Sequence, residues 1–171
     1  MRRRALLAAA GGWLLAACTT VPPQPTKKRA VTAADVFALD PAVLRAAVLT
    51  DTRVMMQAVA IELLAPAQEE RFVIRMLQSV AVDPRLPPPP AGHAWQVFAL
   101  TAEGTTTLVT VRQLLASRTP AAADAIAVSV SAQAAMVPAD LLAALPVRIE
   151  LLVDNREGWF QHSEGTLDLR R

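Results

Sequence analysis

The sequence predicts a mainly β fold: an antiparallel β-sandwich of about 7–8 short strands with two short helices, near residues 33–46 and 138–145. Several segments alternate polar and apolar residues with the period of two that is typical of strands. Turn-forming residues recur at intervals of roughly ten residues, as they do in sandwiches. No strand pattern alternates with long helical patterns, which argues against a parallel α/β sheet. A small closed barrel around a ligand is the structural alternative.

Two capping signals predict the first helix. Thr32 followed by Asp35 resembles a capping box, and Asp40 before Pro41 places a capping side chain ahead of a residue that favours the first helical position. We expect a short helix that runs through Arg45. From residue 54 onward the pattern changes to that of a strand, with the odd-numbered residues of 55–63 on one face and the even-numbered ones on the other.

The middle of the chain predicts a second strand, a loop and a hairpin. Over residues 71–80, one face carries Phe72, Ile74 and Met76, and the other carries Arg71, Val73, Arg75 and Leu77. Four prolines at 87–90 predict an exposed loop, with docking of a partner as an alternative use. Residues 95–100 and the Thr- and Val-rich residues 105–115 predict a hairpin that turns at Glu103-Gly104.

The last third of the chain predicts further strands around the second helix. Ile126, Val128 and Val130 share one face of a strand over residues 124–132. Pro138 and Pro146 bound the helix. The remaining expected elements are a strand at 147–153, a turn at 154–158, a return strand at 159–162, a second turn at 163–165 and a final strand at 166–169.

The N-terminal segment carries an export signal. Arginines at positions 2–4 precede an apolar stretch, residues 5–17, of about 13 residues, which is too short to span a membrane. The stretch ends in Leu15-Ala16-Ala17-Cys18. It resembles the signal peptide of bacterial lipoproteins, whose lipobox has the order Leu, small, small, Cys. The resemblance implies cleavage before Cys18 and attachment of a diacylglyceryl group, with palmitate-type chains, to the Cys18 thiol.

These signals divide the chain into three parts: a signal peptide (1–17), a lipidated cysteine with a Pro- and Lys-containing tether (18–31), and a single β-rich domain (32–171). Thr19, not Asp, follows the cysteine. By the lipoprotein resemblance this favours the periplasmic face of the outer membrane over the inner membrane. Lys27-Lys28-Arg29 either solvates the tether or contacts anionic lipid head groups.

The charge of the mature chain argues against nucleic acid as a partner. The full chain has 17 basic and 15 acidic residues and a formal charge of +2. Loss of residues 1–17 removes three arginines and no acid, so 14 basic residues stand against 15 acidic ones and the charge becomes −1. Nucleic-acid binders show clustered basic surfaces instead. Cys18 is the only cysteine, so no intrachain disulfide forms.

The sequence shows no motif for catalysis, metal binding or a cofactor. His93 and His162 are the only histidines and have no second ligand at metal spacing. The serines lack a Gly-x-Ser-x-Gly elbow, and the glycines form no phosphate-binding loop. We therefore expect no catalytic residue, no metal and no cofactor.

Trp159 is the one candidate for contact with a partner, because it stands beside Gly158 at the start of a strand and Trp is enriched in binding hot spots. The alternative is that Trp159 covers a hairpin edge while Phe160 packs in the core. The leading hypothesis is a non-enzymatic, lipid-anchored envelope protein that binds another envelope protein or supports an assembly. The other hypotheses are a carrier of lipids or small hydrophobic molecules and, less favoured, an envelope hydrolase.

Overall fold

The computed structural model describes residues 27–65, 70–117 and 126–167. The predicted mainly β, antiparallel fold is confirmed, since the structure has 49% strand in seven antiparallel strands, together with two α-helices. The strands are β1 (Arg45–Asp51), β2 (Met55–Ala65), β3 (Glu70–Val80), β4 (His93–Leu100), β5 (Ala127–Met136), β6 (Leu145–Leu152) and β7 (Trp159–Leu167). The helices are α1 (Ala33–Ala38) and α2 (Ala102–Ala116), with a short 3₁₀ helix at Ala139–Leu141.

All seven strands belong to one nearly closed sheet in the order β5-β2-β3-β4-β1-β6-β7, and every pairing is antiparallel. The inner face surrounds the main core, to which both helices contribute. Its largest fully buried apolar side chains are Phe98, Leu44, Met56, Ile61, Leu63, Ile74, Met76, Leu108, Leu145 and Leu151. The sheet therefore builds its core by curling around its own apolar face, with α1 and α2 completing it.

A bulge in β2 changes the predicted faces of that strand. Pairing with β5 shifts register on both sides of Met56, and Gln57 is the extra residue between Met56 and Ala58. As a result Met56 is buried and Met55 is exposed. The prediction that Met55, not Met56, lies on the same face as the buried Val59 is wrong. The simple alternation predicted for residues 55–63 is correct only after the bulge.

The predicted return strand at residues 105–115 is wrong, because these residues form helix α2. The Thr101 hydroxyl accepts a hydrogen bond from the Gly104 N–H at 2.8 Å and so caps the start of the helix. Leu108 and Val111, three residues apart, are buried in the main core. Burial of this face outweighs the preference of Thr and Val for strands, which is a weak and context-dependent preference.

Gly104, which was predicted to form a hairpin turn, allows α2 to approach the sheet closely. A Cβ atom at this position would overlap the carbonyl oxygen of Arg75 in β3. The glycine is therefore required by the contact between helix and strand.

The first predicted helix, 33–46, is correct only in its first half. Thr32 and Asp35 form the predicted capping box, but α1 ends at Ala38. The Asp40 carboxylate accepts a hydrogen bond from the Ala42 N–H at 2.9 Å within a turn, and Arg45 already begins β1. Asp and Pro are turn residues as well as capping residues, so Asp40-Pro41 marks the turn between α1 and β1.

The second predicted helix and the last turn also differ from the expectation. The helix at 138–145 is reduced to Ala139–Leu141, and Leu145 begins β6. No turn divides β7 at 163–165; the strand continues through a bulge at His162, because Ile149 pairs with Ser163 while Glu150 pairs with Gln161. The predicted core face of 147–153 is confirmed by the burial of its alternate residues. Residues 168 and 169 lie outside the described residues.

Candidate functional site

The outer face of the sheet has two unlike halves, and the first is covered by the chain itself. On β4, β1, β6 and β7 the apolar residues form a second cluster with Leu86 from the loop at 81–92. The Trp95 indole Nε1 donates a hydrogen bond to the Pro87 carbonyl at 2.7 Å. The Arg85 guanidinium pairs with the Asp83 carboxylate at 2.7 Å, which holds the pKa of that carboxyl at about 2. We call this region the covered half.

The covered half changes the interpretation of the proline run. Leu86 is buried and Pro87 is bonded to Trp95, whereas the last three prolines, 88–90, are exposed. The start of the loop is thus part of the domain's packing, and only its tip is a free surface.

The second half, on β5, β2 and β3, carries a groove of about 570 Å³. We call it the open half. The sheet register aligns the groove residues in rows: Ala60 pairs with Ser131 on one side and Arg75 on the other, and Ala58 pairs with Gln133 and Leu77. The two small alanines form a floor between longer side chains on the flanking strands, and the groove therefore runs along β2.

Large apolar side chains are exposed on this same half. Leu64, Val73 and Leu77 are 45%, 36% and 46% exposed. They lie on the face opposite the buried Ile74 and Met76, so they contribute nothing to the core. Single exposed apolar residues are ordinary, but several on one face beside a groove are typical of an interaction surface.

The charges of the open half are mostly positive. The Arg71 guanidinium pairs with the Glu62 carboxylate at 2.7 Å. Arg75 lines the groove and is exposed, and no ion pair of its guanidinium is found within the three described stretches. The groove is thus lined by the Arg75 guanidinium, by amide and hydroxyl side chains and, along its sides, by exposed apolar side chains. This combination suits a polypeptide better than a purely apolar ligand.

Trp159 does not lie on this surface. Its side chain is 7% exposed and packs in the covered half with Trp95 and Leu152, while Phe160 is buried in the main core. This geometry matches the alternative stated for the pair, in which Trp159 covers a hairpin edge. Trp159 therefore presents little surface to a partner.

The two histidines contact no catalytic group among the described residues. His93 Nδ1 lies 3.1 Å from the Ala91 carbonyl oxygen. His162 is half-buried at the bulge of β7, and burial lowers its pKa from the ordinary 6.5. Neither is hydrogen-bonded to a serine hydroxyl or a carboxylate in the described stretches, and no group of three potential metal ligands occurs there. These contacts give the hydrolase hypothesis no support.

The interior of the sheet is the space that a carrier of hydrophobic molecules would need. In this protein it is occupied by the buried side chains of the main core, including Phe98, Met76 and Leu108. The large groove lies on the outer face instead. Nothing in the described part of the chain therefore favours the carrier hypothesis.

The end of the predicted tether belongs to the domain. Lys28 forms a parallel bridge with Gln161 of β7, and Val31 is buried in the main core. Arg29 lies 3.9 Å from the centre of the Phe160 ring and pairs with the Asp35 carboxylate at 2.7 Å. The boundary between tether and domain is therefore earlier than residue 31, and Arg29 packs against the domain.

Cys18 and the rest of the predicted signal segment lie outside the described residues. Within the described stretches, no helix is both long and apolar enough to cross a bilayer. Comparison of the chain with protein-family models, with curated proteins and with solved structures finds no match.

The open half was missed as a site when the sequence was considered alone. Its signal is present in β3, where Val73 and Leu77 alternate with buried apolar residues and so fall on the polar face with Arg71 and Arg75. An apolar residue on the solvent face of a strand is not enough by itself to predict a site. The missing information was that the loop at 81–92 covers the other half of the sheet, whereas no described segment covers this half.

Proposed function

We propose that this chain is a lipid-anchored envelope protein on the periplasmic face of the outer membrane that binds another envelope protein and performs no catalysis. The anchor rests on the resemblance of Leu15-Ala16-Ala17-Cys18 to a lipobox. The binding role rests on one observation, the uncovered apolar side chains Leu64, Val73 and Leu77 beside the groove.

The contrast between the two halves of the outer face supports the binding role. Where the outer face is most apolar, around Trp95 and Trp159, the loop at 81–92 covers it. No described segment covers the open half in the same way. A partner that covers Leu77 and places an acidic group near Arg75 would bury apolar area and satisfy the cation.

The experiment is photo-crosslinking from the full chain in intact envelopes. A photoreactive residue at Leu77 is expected to give one discrete protein adduct, which is reduced by Arg75→Glu. Leu142 is a matched control, because it is 47% exposed against 46% for Leu77 and lies outside the groove. Equal adducts from both positions, or none from Leu77, would contradict the proposal.

The anchor has a separate test. Cys18→Ala is expected to abolish labelling of the chain by a fatty-acid probe and to release it from membranes, because two or more acyl chains are needed for stable anchoring. Thr19→Ala is the control that retains both properties. Continued labelling of the Cys18→Ala chain would overturn this part of the proposal.

A further inference from the structure

The two edges of the sheet are not equally protected. At the β7 edge, Arg29 N–H donates to the Gln161 carbonyl at 3.0 Å and Gln161 N–H donates to the Lys27 carbonyl at 2.9 Å. The bulge at His162 further interrupts this edge. Bulges and covering segments are among the devices that proteins use to prevent edge strands from pairing with other chains.

Between Ala127 and Ala134 the β5 edge has no bulge, and no segment among the described residues covers it; the one irregularity of the strand is at its end, where Ala135 is skipped between Met136 and Ala134. The strand Ala127–Met136 is ten residues long and contains no charge, no proline and no glycine. Its one partner in the described sheet is β2. In an antiparallel strand every second residue directs its N–H and C=O to one side, so about five residues of β5 direct backbone groups to an edge where no described strand pairs with them.

The side chains on the inner face of β5 are also partly exposed to solvent. Its inner residues Val128, Val130, Ala132 and Ala134 are only half-buried although they pack against the main core. A further strand at this edge would cover them and satisfy the backbone groups at the same time.

We propose that a second copy of this chain pairs with the free edge of β5, antiparallel about a two-fold axis at Ser131. Such an interface is self-complementary because the same strand occupies both sides. Since β5 carries no charge, self-pairing brings no like charges into opposition.

The register at Ser131 also matches side chains by size and polarity. On the outer face Ser131 lies opposite itself, and Ser129 lies opposite Gln133 of the second copy, so hydroxyl meets hydroxyl or amide. On the inner face Val130 lies opposite Ala132, and Val128 lies opposite Ala134, so each larger residue meets a smaller one. Odd residues pair with odd and even with even, which keeps each set on its own face.

The pairing joins the two open halves side by side, because β5 forms one wall of each groove. It does not depend on the proposed function. Self-association uses the backbone edge of β5, whereas the envelope partner is proposed to contact the outer face at Leu77.

Crosslinking of the full chain in membranes tests the register. Ser131→Cys, treated with a short bifunctional thiol reagent, is expected to give a dimer of the chain. The controls are Thr166→Cys, at an exposed position of β7, and the unsubstituted chain, which contains only Cys18; neither is expected to give a dimer. A dimer of equal yield from Thr166→Cys, or none from Ser131→Cys, overturns the proposal.

The mass of the full chain in detergent, measured by light scattering after subtraction of the detergent, tests the edge itself. The unsubstituted chain is expected to be a dimer. Ser131→Lys places two ammonium groups at the axis and is expected to weaken the dimer by about tenfold or more, while Thr166→Lys leaves it unchanged. A monomeric unsubstituted chain, or a dimer that Ser131→Lys does not weaken, overturns the proposal. A monomeric chain overturns it also if a strand of another protein pairs with β5 in the envelope. Circular dichroism confirms that the variants are folded.

Discussion

The Trp95 indole N–H donates a hydrogen bond to the carbonyl oxygen of Pro87 at 2.7 Å, and this contact fixes the loop at 81–92 over the outer face of the sheet. Leu86 enters the apolar cluster directly beside it. The loop thereby makes one half of the outer face part of the domain's own packing. The other half, around Ala58 and Ala60, is left as a groove.

Loss of the Trp95–Pro87 hydrogen bond is expected to loosen the loop. Trp95→Phe keeps an aromatic ring but removes the donor, at a cost of about 1–3 kcal/mol for the unsatisfied group and lost packing. Trypsin is then expected to cleave after Arg85, which is exposed, several times faster than in the unsubstituted chain. Val82→Ala, at an exposed position in the same loop, is the control that leaves the rate unchanged. An unchanged rate in Trp95→Phe would show that the contact does not hold the loop.

Arg112 joins α2 to the end of α1. Its Nε donates to the Val36 carbonyl at 2.9 Å, and one of its terminal nitrogens donates to the Phe37 carbonyl at 2.8 Å and to the Leu39 carbonyl. Hydrogen bonds from charged donors contribute about 1.5–3 kcal/mol, so Arg112→Met is expected to lower the free energy of unfolding by at least that amount. Urea unfolding followed by tryptophan fluorescence measures it. Arg53→Met, which removes two exposed ion pairs, is expected to lower the free energy of unfolding clearly less than Arg112→Met does. Equal effects of the two substitutions would contradict this role of Arg112.

Gly104→Ala tests the close approach of α2 to β3. Alanine normally stabilises a helix relative to glycine by about 1 kcal/mol. At position 104 the added Cβ meets the Arg75 carbonyl oxygen, a backbone atom that moves only with its strand. We therefore expect a net loss of about 1–3 kcal/mol. Thr106→Ala, on the exposed side of the same helix, is expected to leave stability nearly unchanged. A stabilised Gly104→Ala chain would show that the helix can move away from the strand.

The lowered pKa of His162 predicts a dependence of stability on pH. The folded chain holds this imidazole neutral at pH values where the unfolded chain, with a pKa near 6.5, is protonated. The unfolded state therefore binds more protons, and the free energy of unfolding is expected to fall as the pH falls below about 6.5. The stabilisation from Asp51 and Asp83 persists in this range, because their pKa values of about 2 place its loss at more acidic pH.

The comparison of urea unfolding at pH 7.5 and pH 5 isolates this effect. His162→Gln is expected to lose less stability between the two pH values than the unsubstituted chain. A pH dependence that is the same in both chains would mean that burial of His162 does not cause it.

The strands with regular alternation were predictable from the sequence. The pattern of Phe72, Ile74 and Met76 against Arg71, Arg75 and Leu77 is the pattern of β3 in the structure. In such a strand, side chains alternate between the two faces, so the sequence predicts directly which residues face the core.

Elements decided by tertiary contact were not predictable in the same way. Helix α2 contains Thr and Val residues that favour strands, but Leu108 and Val111 are buried together only in a helix. In β2 the extra residue Gln57 exchanges the faces of Met55 and Met56, and a bulge leaves no mark on composition. In both cases the deciding interaction lies with a segment far away in the chain.

The candidate site depended on tertiary structure even more strongly. Trp159 is the most conspicuous residue for binding in the sequence, yet it packs beneath the loop. Leu77 is inconspicuous in the sequence and is exposed beside the groove. Which aromatic and aliphatic residues remain exposed was decided by where the loop at 81–92 folds back onto the sheet.

The central claim is that the open half is covered by a partner in the envelope, and the accessibility of Leu77→Cys tests it most directly. The rate of maleimide labelling is measured for the full chain in intact envelopes and again after purification in detergent, with Leu142→Cys as the matched control. We expect labelling of Leu77→Cys to be about tenfold slower in envelopes than in the purified chain, with Leu142→Cys labelled at the same rate in both. If Leu77→Cys and Leu142→Cys show the same ratio of rates, nothing covers the open half and the claim is contradicted.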